Sequence, residues 1–507
     1  MGIGRVAAAV RRVRAVRAEH PGSYARSYLR SGRRWQVSFY SQQRAEIAQV
    51  LLDDRTGRVL ESWTGFRVAW PMARGYPGQF GRAANAPWIW VGLCVLFVLP
   101  FLCPPWRLFH ADLAALLAFS VSYAFFGTGN IEVSVPTAVP PLVWLLGRLL
   151  WLARGPVPTP PVRLLLSADA LTVALAFLIG ARVVLNIVDG NVIDVGYAGV
   201  IGGDRLLHGE ALWNAFPADL PRGDTYGPAL YLAYASFGAM WPWSGTWDGL
   251  PAAHAAAVAF DLACIGGLWL AGRRLGGSVL GVLLAYLWAA YPFTLLVANS
   301  GSSDALVGAG VLGAFLLLGR PAARGAAVAA AGLTKFAPLA LGPLFVAHGR
   351  SLRAALLTTV GAAGAAALLL VPAATGPGGL PTFWERTLGF QADRGSPFSV
   401  WGLYGGLEGL QALTAAAAVA LALVVAVVPR RRSPRTVAAL GAAVLIAVQL
   451  ALDHWFYLYI AWWLPLALPA LVPQPSGRST GSIAAARRRP AERMSTALIH
   501  GSSSDAS

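Results

Sequence analysis

The sequence predicts a polytopic all-α membrane protein carrying a small N-terminal α+β domain, and three observations lead there. Hydrophobic residues fill 56% and charged residues 12% of 507 positions, a balance too apolar and too charge-poor for a soluble enzyme of this length. Apolar runs of about 20 residues, the length that crosses a bilayer as a helix, recur from residue 88 to residue 472, about eleven or twelve in all. Residues 1–85 have no such run and read instead as one amphipathic helix followed by short strands.

In order along the chain, RVAAAVRRVRAVRA at 5–18 has a helical apolar period with arginines on the opposite face, a pattern suited to an anionic membrane surface. WQVSFY, AEIAQVLLD and RVLESWTG read as strands. The DDRTG between the last two is a hairpin turn with Gly57 where positive φ is needed. Asp53 and Asp54 are explained by that turn. The pattern resembles PepSY-like helix-and-hairpin modules and assigns no activity.

Residues 86–163 hold additional hydrophobic segments, residues 164–472 a membrane core, and residues 473–507 a basic, Ser-rich tail that reads as disordered. The net charge of +17 lies in short clusters between spans rather than on one face, so it reads as positive-inside anchoring and not as a nucleic-acid surface. Cys94, Cys103 and Cys264 all lie in apolar runs and form no CxxC pair, so neither a disulfide framework nor a zinc site is expected.

Arg148, Arg154 and Arg163 mark the third connection as cytoplasmic and place the 189–250 loop outside. Arginines recur on the cytoplasmic side at every second later connection, provided that residues 322–347 form two short helices broken at TKFAP. The N-terminal domain is expected in the cytoplasm. Four full spans would carry it to the other side, so the segment 88–103, short and ending in CPPWR, is expected to be re-entrant.

The polar stretch 189–228 interrupts the apolar chain and holds Asp189, Asp194, Asp204, Asp219 and Asp224. Asp194 can also be read as the cap of a helix over 195–207. Three further polar patches can reach the same side: Asn299 to Asp304, FWERTLGFQADRGSPFSVW at 383–401, and DHWFYLY at 453–459. Taking a sugar from a lipid phosphate needs a carboxylate to accept the proton of the attacking hydroxyl and cations for the departing phosphate. Arg386 and Arg394 have guanidinium forks for phosphate, and Lys335 and His454 can add charge. The alternatives are interfacial anchoring for the two arginines, a structural partner for Lys335, and a histidine satisfied by its neighbour. Tyr226, Trp384 and Trp401 are candidates for stacking on sugar, or belt aromatics. Asp169 and Asp261 lie inside apolar runs and are flagged on that ground alone. No P-loop, GxGxxG, HExxH or GxSxG motif is present, and no metal site is expected.

IDVGYAGVIGGDRLLHGEALW, DTYGPALY, TKFAPLALGPL and FWERTLGFQADRGSPFSVWG together resemble GT-C membrane glycosyltransferases, most closely glycosyltransferase family 87, the polyprenyl-phosphate-mannose-dependent mannosyltransferases. The resemblance implies a GT-C type helical bundle in the plasma membrane and a polyprenyl-phosphate sugar as donor substrate. It further implies a lipid or glycan acceptor and inverting transfer on the outer side. Asp194 then stands as base, with Asp204, about 80° further round an ideal helix, as a second candidate acid. The donor phosphate falls to Arg386, Arg394, Lys335 and His454, and contacts with sugar or acceptor to Tyr197, Tyr226 and Gln391. TYGP stands here where many relatives have a Tyr-Pro-Pro run.

Two other functions compete. A transporter or flippase of lipid-linked saccharides should show paired helix interruptions in two halves, and the sequence shows one clear break. A non-catalytic sensor or assembly protein would depend on residues 1–85 and not on Asp194.

Overall fold

The computed structural model describes residues 3–30, 33–75, 78–155, 160–392, 394–430 and 432–476. In the N-terminal domain, α1 (Ile3–Ala9) and α2 (Arg11–Glu19) lie on a four-stranded antiparallel sheet of β1 (Tyr24–Arg30), β2 (Arg34–Tyr40), β3 (Glu46–Asp53) and β4 (Val59–Thr64), in sequential order. Val37 pairs with Val50 and Phe39 with Ala48. Their side chains form a small core with Ala7 and Val13 of the helices. The predicted hairpin turn is present: Asp53 Oδ1 accepts the Arg55 and Thr56 N–H groups and the Thr56 hydroxyl, and Gly57 has φ +63°. β1 was missed because all seven of its residues are exposed, so it lacks the half-buried alternation that marks the others.

The rest of the described chain is a helical membrane bundle. Seven helices are long and apolar enough to cross a bilayer. The count rises to eight if the bent pair Ser278–Ala290 and Pro292–Asn299, which turns by 63° at Tyr291, is taken as one span. Pro87–Phe101, Asp304–Leu316, Ala337–Val346 and Tyr457–Leu471 are shorter apolar helices, so about a dozen apolar segments are present but not all are full spans. Apolar side chains project outward from Ala168–Asp189, with Phe177 73% and Val188 78% exposed, as a lipid-facing surface requires. The chain is a multi-pass membrane protein. Two charged pairs lie inside the bundle: Arg182 bonds both oxygens of Asp261, and Arg148 those of Asp112. The flagged Asp261 is thereby a structural partner, while Asp169 is exposed in the first turn of its helix, where a carboxylate complements the helix dipole.

The TKFAP break is present: Pro321–Gly332 ends, and a 3₁₀ turn begins at Ala337. The segment 88–103 behaves differently from expectation. Pro87–Phe101 runs the length of its neighbour Leu108–Gly127, with Trp90 stacked on Tyr123 near one end and Phe101 against Phe109 at the other. It is therefore not a re-entrant loop. Four segments thus separate the N-terminal domain from the 189–228 loop, and both stand at one end of the bundle. Contacts show this directly, since Arg67 pairs with Glu132 and Asp189 accepts the Arg82 and Ala83 N–H groups. A cytoplasmic domain and an outward-facing site exclude one another on this fold.

The tail does not become free at 473. Val162 donates to the Gln474 carbonyl and accepts from the Ser476 N–H. The remainder of the expected disordered tail, 477–507, lies outside the described residues.

Candidate active site

The loops at the domain end enclose a cavity of about 610 Å³. Asp194 reaches it because residues 191–193 are laid against the 299–301 turn. Asn191 donates to the Asn299 carbonyl at 2.8 Å, and Ile193 to that of Ser300 at 2.9 Å. The helix Asp194–Leu207 then packs its glycine stripe on Pro228–Gly238. A Cβ at Gly199 or Gly202 would strike Tyr234 or Tyr231. Tyr234 in turn donates to the Gly301 carbonyl and closes the unit.

Ile193, not Asp194, occupies the cap position, and the Asp194 carboxylate takes only the Val195 N–H, at 2.9 Å. Its side chain is exposed to the cavity rather than packed into the core. The protein mass around the cavity desolvates the carboxylate and pushes its pKa above the usual aspartate value, opposed by the Val195 N–H and by the charges of Arg394 and Lys335.

The other four loop aspartates are engaged elsewhere. Asp189 holds residues 82–83, and Asp219 accepts the Tyr197 hydroxyl at 3.1 Å. Asp204 lies beside His208, and Asp224 accepts a two-pronged bond from Arg386 at 2.6 and 2.7 Å. Of the five, only Asp194 lines the cavity.

The structure brings Asp194, Tyr226, Lys335, Gln391, Arg394 and His454 together around that cavity. It leaves out Asp204, Tyr197 and Arg386. The Tyr197 ring is fully buried, stacked on Trp247, and Arg386 has its guanidinium fork occupied by Asp224 and the Pro221 carbonyl. Trp384 is 61% exposed and Trp401 donates to the Leu450 carbonyl, so neither faces the cavity.

Lys335, at the TKFAP break, takes the structural alternative. Its Nζ lies 2.6 Å from Asp304 Oδ1 and 5.4–5.7 Å from the ring centres of Tyr226, Tyr459 and Trp462. Trp462 donates to the same carboxylate oxygen, and Asp304 Oδ2 has no hydrogen-bond partner. Gly227 makes this arrangement possible. Its N–H bonds the Thr334 carbonyl, and a Cβ there would fall on the Leu333 carbonyl. The TYGP departure thus lets Tyr226 come beside Lys335.

His454 does not supply charge. Burial, and then Arg394 and Lys335, hold its pKa well below the usual range, so its ring is neutral at pH 7, with Nδ1 2.8 Å from the Ser396 hydroxyl. Arg394 is the cation with capacity to spare. Its guanidinium lies over Trp70 at 5.1 Å and Phe390 at 5.9 Å, and among the described residues no carboxylate pairs with it.

Sequence reasoning missed Asp304, Trp70 and Trp462 as lining residues. Asp304 sat in a polar patch that was noticed, but Trp70 belongs to a segment that carries no motif.

Part of this cavity lies in a recognised region. The model of glycosyltransferase family 87 matches residues 225–453, from the DTYGP segment to Asp453. That match covers less than half of the chain. It supports a membrane glycosyltransferase and is consistent with the GT-C superfamily. No curated protein matches the chain. The family 87 region contributes Tyr226, Asp304, Lys335, Gln391 and Arg394 to the cavity, while Asp194 precedes it and His454 follows it by one residue.

Proposed function

We propose that this glycosyltransferase moves a hexose, mannose in our reading, from a polyprenyl-phosphate donor to a hydroxyl of a lipid or glycan acceptor on the outer side of the plasma membrane. The observation that carries the reading is the single cavity shared by a raised-pKa carboxylate, Asp194, and a guanidinium with no paired carboxylate among the described residues, Arg394.

In this mechanism Asp194 accepts the proton of the acceptor hydroxyl as its oxygen attacks the anomeric carbon. The bond from that carbon to the phosphate oxygen breaks on the far side, which inverts the anomeric centre. A carboxylate whose pKa is lifted by desolvation is a stronger base than an ordinary aspartate. Arg394 binds the polyprenyl phosphate that leaves, and the neutral His454 can donate an N–H to it. Tyr226 and Gln391 line the space left for sugar and acceptor. Lys335 is held by Asp304 and completes the cavity wall beside Tyr226. The short connections support this sidedness. Arg107, Arg154, Arg163, Arg273, Arg274, Arg320 and Arg350 all lie at the end opposite the cavity, which the positive-inside trend assigns to the cytoplasm.

The test is sugar transfer by the purified protein in lipid, offered labelled polyprenyl-phosphate mannose or a labelled nucleotide sugar with a mixed lipid acceptor extract. Transfer from the lipid donor alone, with the product anomer opposite to the donor's, supports the reading. Use of the nucleotide sugar, or retention of configuration, overturns it.

A further inference from the structure

The cavity is not built by the membrane core alone, because Trp70, Pro71 and Met72 of the segment joining the N-terminal sheet to the bundle form part of its wall. Trp70 makes three aromatic or cationic contacts there. Arg394 lies over its ring at 5.1 Å, His454 is stacked on it at 5.6 Å and 27°, and Phe398 meets it edge-on at 5.5 Å.

The segment is held firmly from both sides. Arg74 donates to Gln49 of β3 at 2.6 Å and to the Arg67 carbonyl at 2.8 Å, tying it to the sheet. Arg67 donates to Glu132 and to the Gly129 carbonyl, tying it to the bundle. Gly75 and Gly129 pack so closely that a Cβ at Gly75 would fall on the Gly129 backbone.

We propose that the N-terminal domain is a working wall of the catalytic cavity on the outer side of the membrane, and that Trp70 is a positioning residue holding Arg394 and His454 toward the leaving phosphate. The role given to Arg394 rests on the function proposed above. The physical basis is local. An arginine side chain on a loop has many rotamers, and an aromatic face under its guanidinium selects one at little cost in solvation. A domain of this size can be translocated despite its arginines, because the charge bias acts on short connections.

The test uses the full-length protein in lipid nanodiscs and four variants: W70A, W70F, R394A and W70A/R394A. Polyprenyl-phosphate binding and the donor KM and kcat are measured for each. W70A is expected to weaken binding and raise the donor KM by about tenfold, with a smaller change in kcat. W70F, which keeps an aromatic face, should recover most of that loss, and the double variant should bind no more weakly than R394A. Losses that add in the double variant, or a W70A protein that binds as wild type, overturn the proposal. So does an R394A protein with unchanged binding, which refutes the phosphate role as well.

The location is read separately. Arg55→Cys, in a background lacking Cys94, Cys103 and Cys264, should react with an impermeant maleimide on intact cells. Reaction only after permeabilisation places the domain in the cytoplasm and overturns the proposal. Absence of mannose transfer by wild type would refute the function above, while the binding cycle and the labelling would still decide the role of Trp70.

Discussion

Replacing Lys335 with methionine removes the only cation bonded to Asp304 among the described residues and leaves that buried carboxylate with the Trp462 N–H. Lys335 is 8% exposed and Asp304 is fully buried, so water cannot substitute freely. Breaking a buried pair from one side costs about 3–5 kcal/mol, most of it for the stranded charge. Loss of the three surrounding ring contacts pushes Lys335→Met toward the upper end of that range. Asp304→Asn strands the ammonium instead, but the same rings remain around it, so its cost should fall toward about 3 kcal/mol. The double variant strands neither charge and should recover at least about 2 kcal/mol relative to the sum of the singles. Unfolding by heat and by denaturant, on the detergent-solubilised protein, measures all three. Single variants within about 0.5 kcal/mol of wild type, or costs that simply add, would refute the claim that this pair is a locked structural unit.

Arg386→Ala leaves Asp224 buried without its fork, so thermal stability should fall sharply while donor KM in the surviving folded fraction stays near wild type. A KM effect without a stability effect would return Arg386 to the donor site. Asp204→Asn should leave transfer unchanged in the same assay, since Asp204 does not line the cavity. Gly227→Ala drives a methyl onto the Leu333 carbonyl, and the variant should lose both stability and transfer. The pH profile has a defined sign: the base works as carboxylate, and its pKa is raised, so kcat/KM should fall as pH drops through a value above the usual aspartate range. An acid limb at or below that range would show that Asp194 is not the titrating group.

Much of this architecture was legible because its signals are local. The bilayer imposes run lengths, the DDRTG turn demands its glycine, and TKFAP breaks a helix at a proline. The family resemblance rested on segments that contribute to the cavity, and the match over 225–453 includes two of the four motifs that suggested it whole and all but the first residue of a third. What sequence could not show was how each charge is used. Arg386 and Arg394 sit eight residues apart and look alike, yet one is bonded to Asp224, 162 positions away, and the other faces the cavity. His454 looked cationic because its enclosure by distant aromatic and basic residues leaves no trace in the local sequence. Trp70 was invisible for the same reason, being one of 19 tryptophans in a chain where most serve packing or the membrane interface.

The central claim, that Asp194 is the base of a lipid-phosphate sugar transfer, is tested most directly by Asp194→Asn. Wild type and variant would be reconstituted at equal amounts, matched for thermal unfolding and polyprenyl-phosphate binding, and given labelled polyprenyl-phosphate mannose with acceptor. The account predicts that the variant remains folded and binds the lipid phosphate, but transfers sugar at least about a hundredfold more slowly. Equal transfer by the two proteins would contradict it.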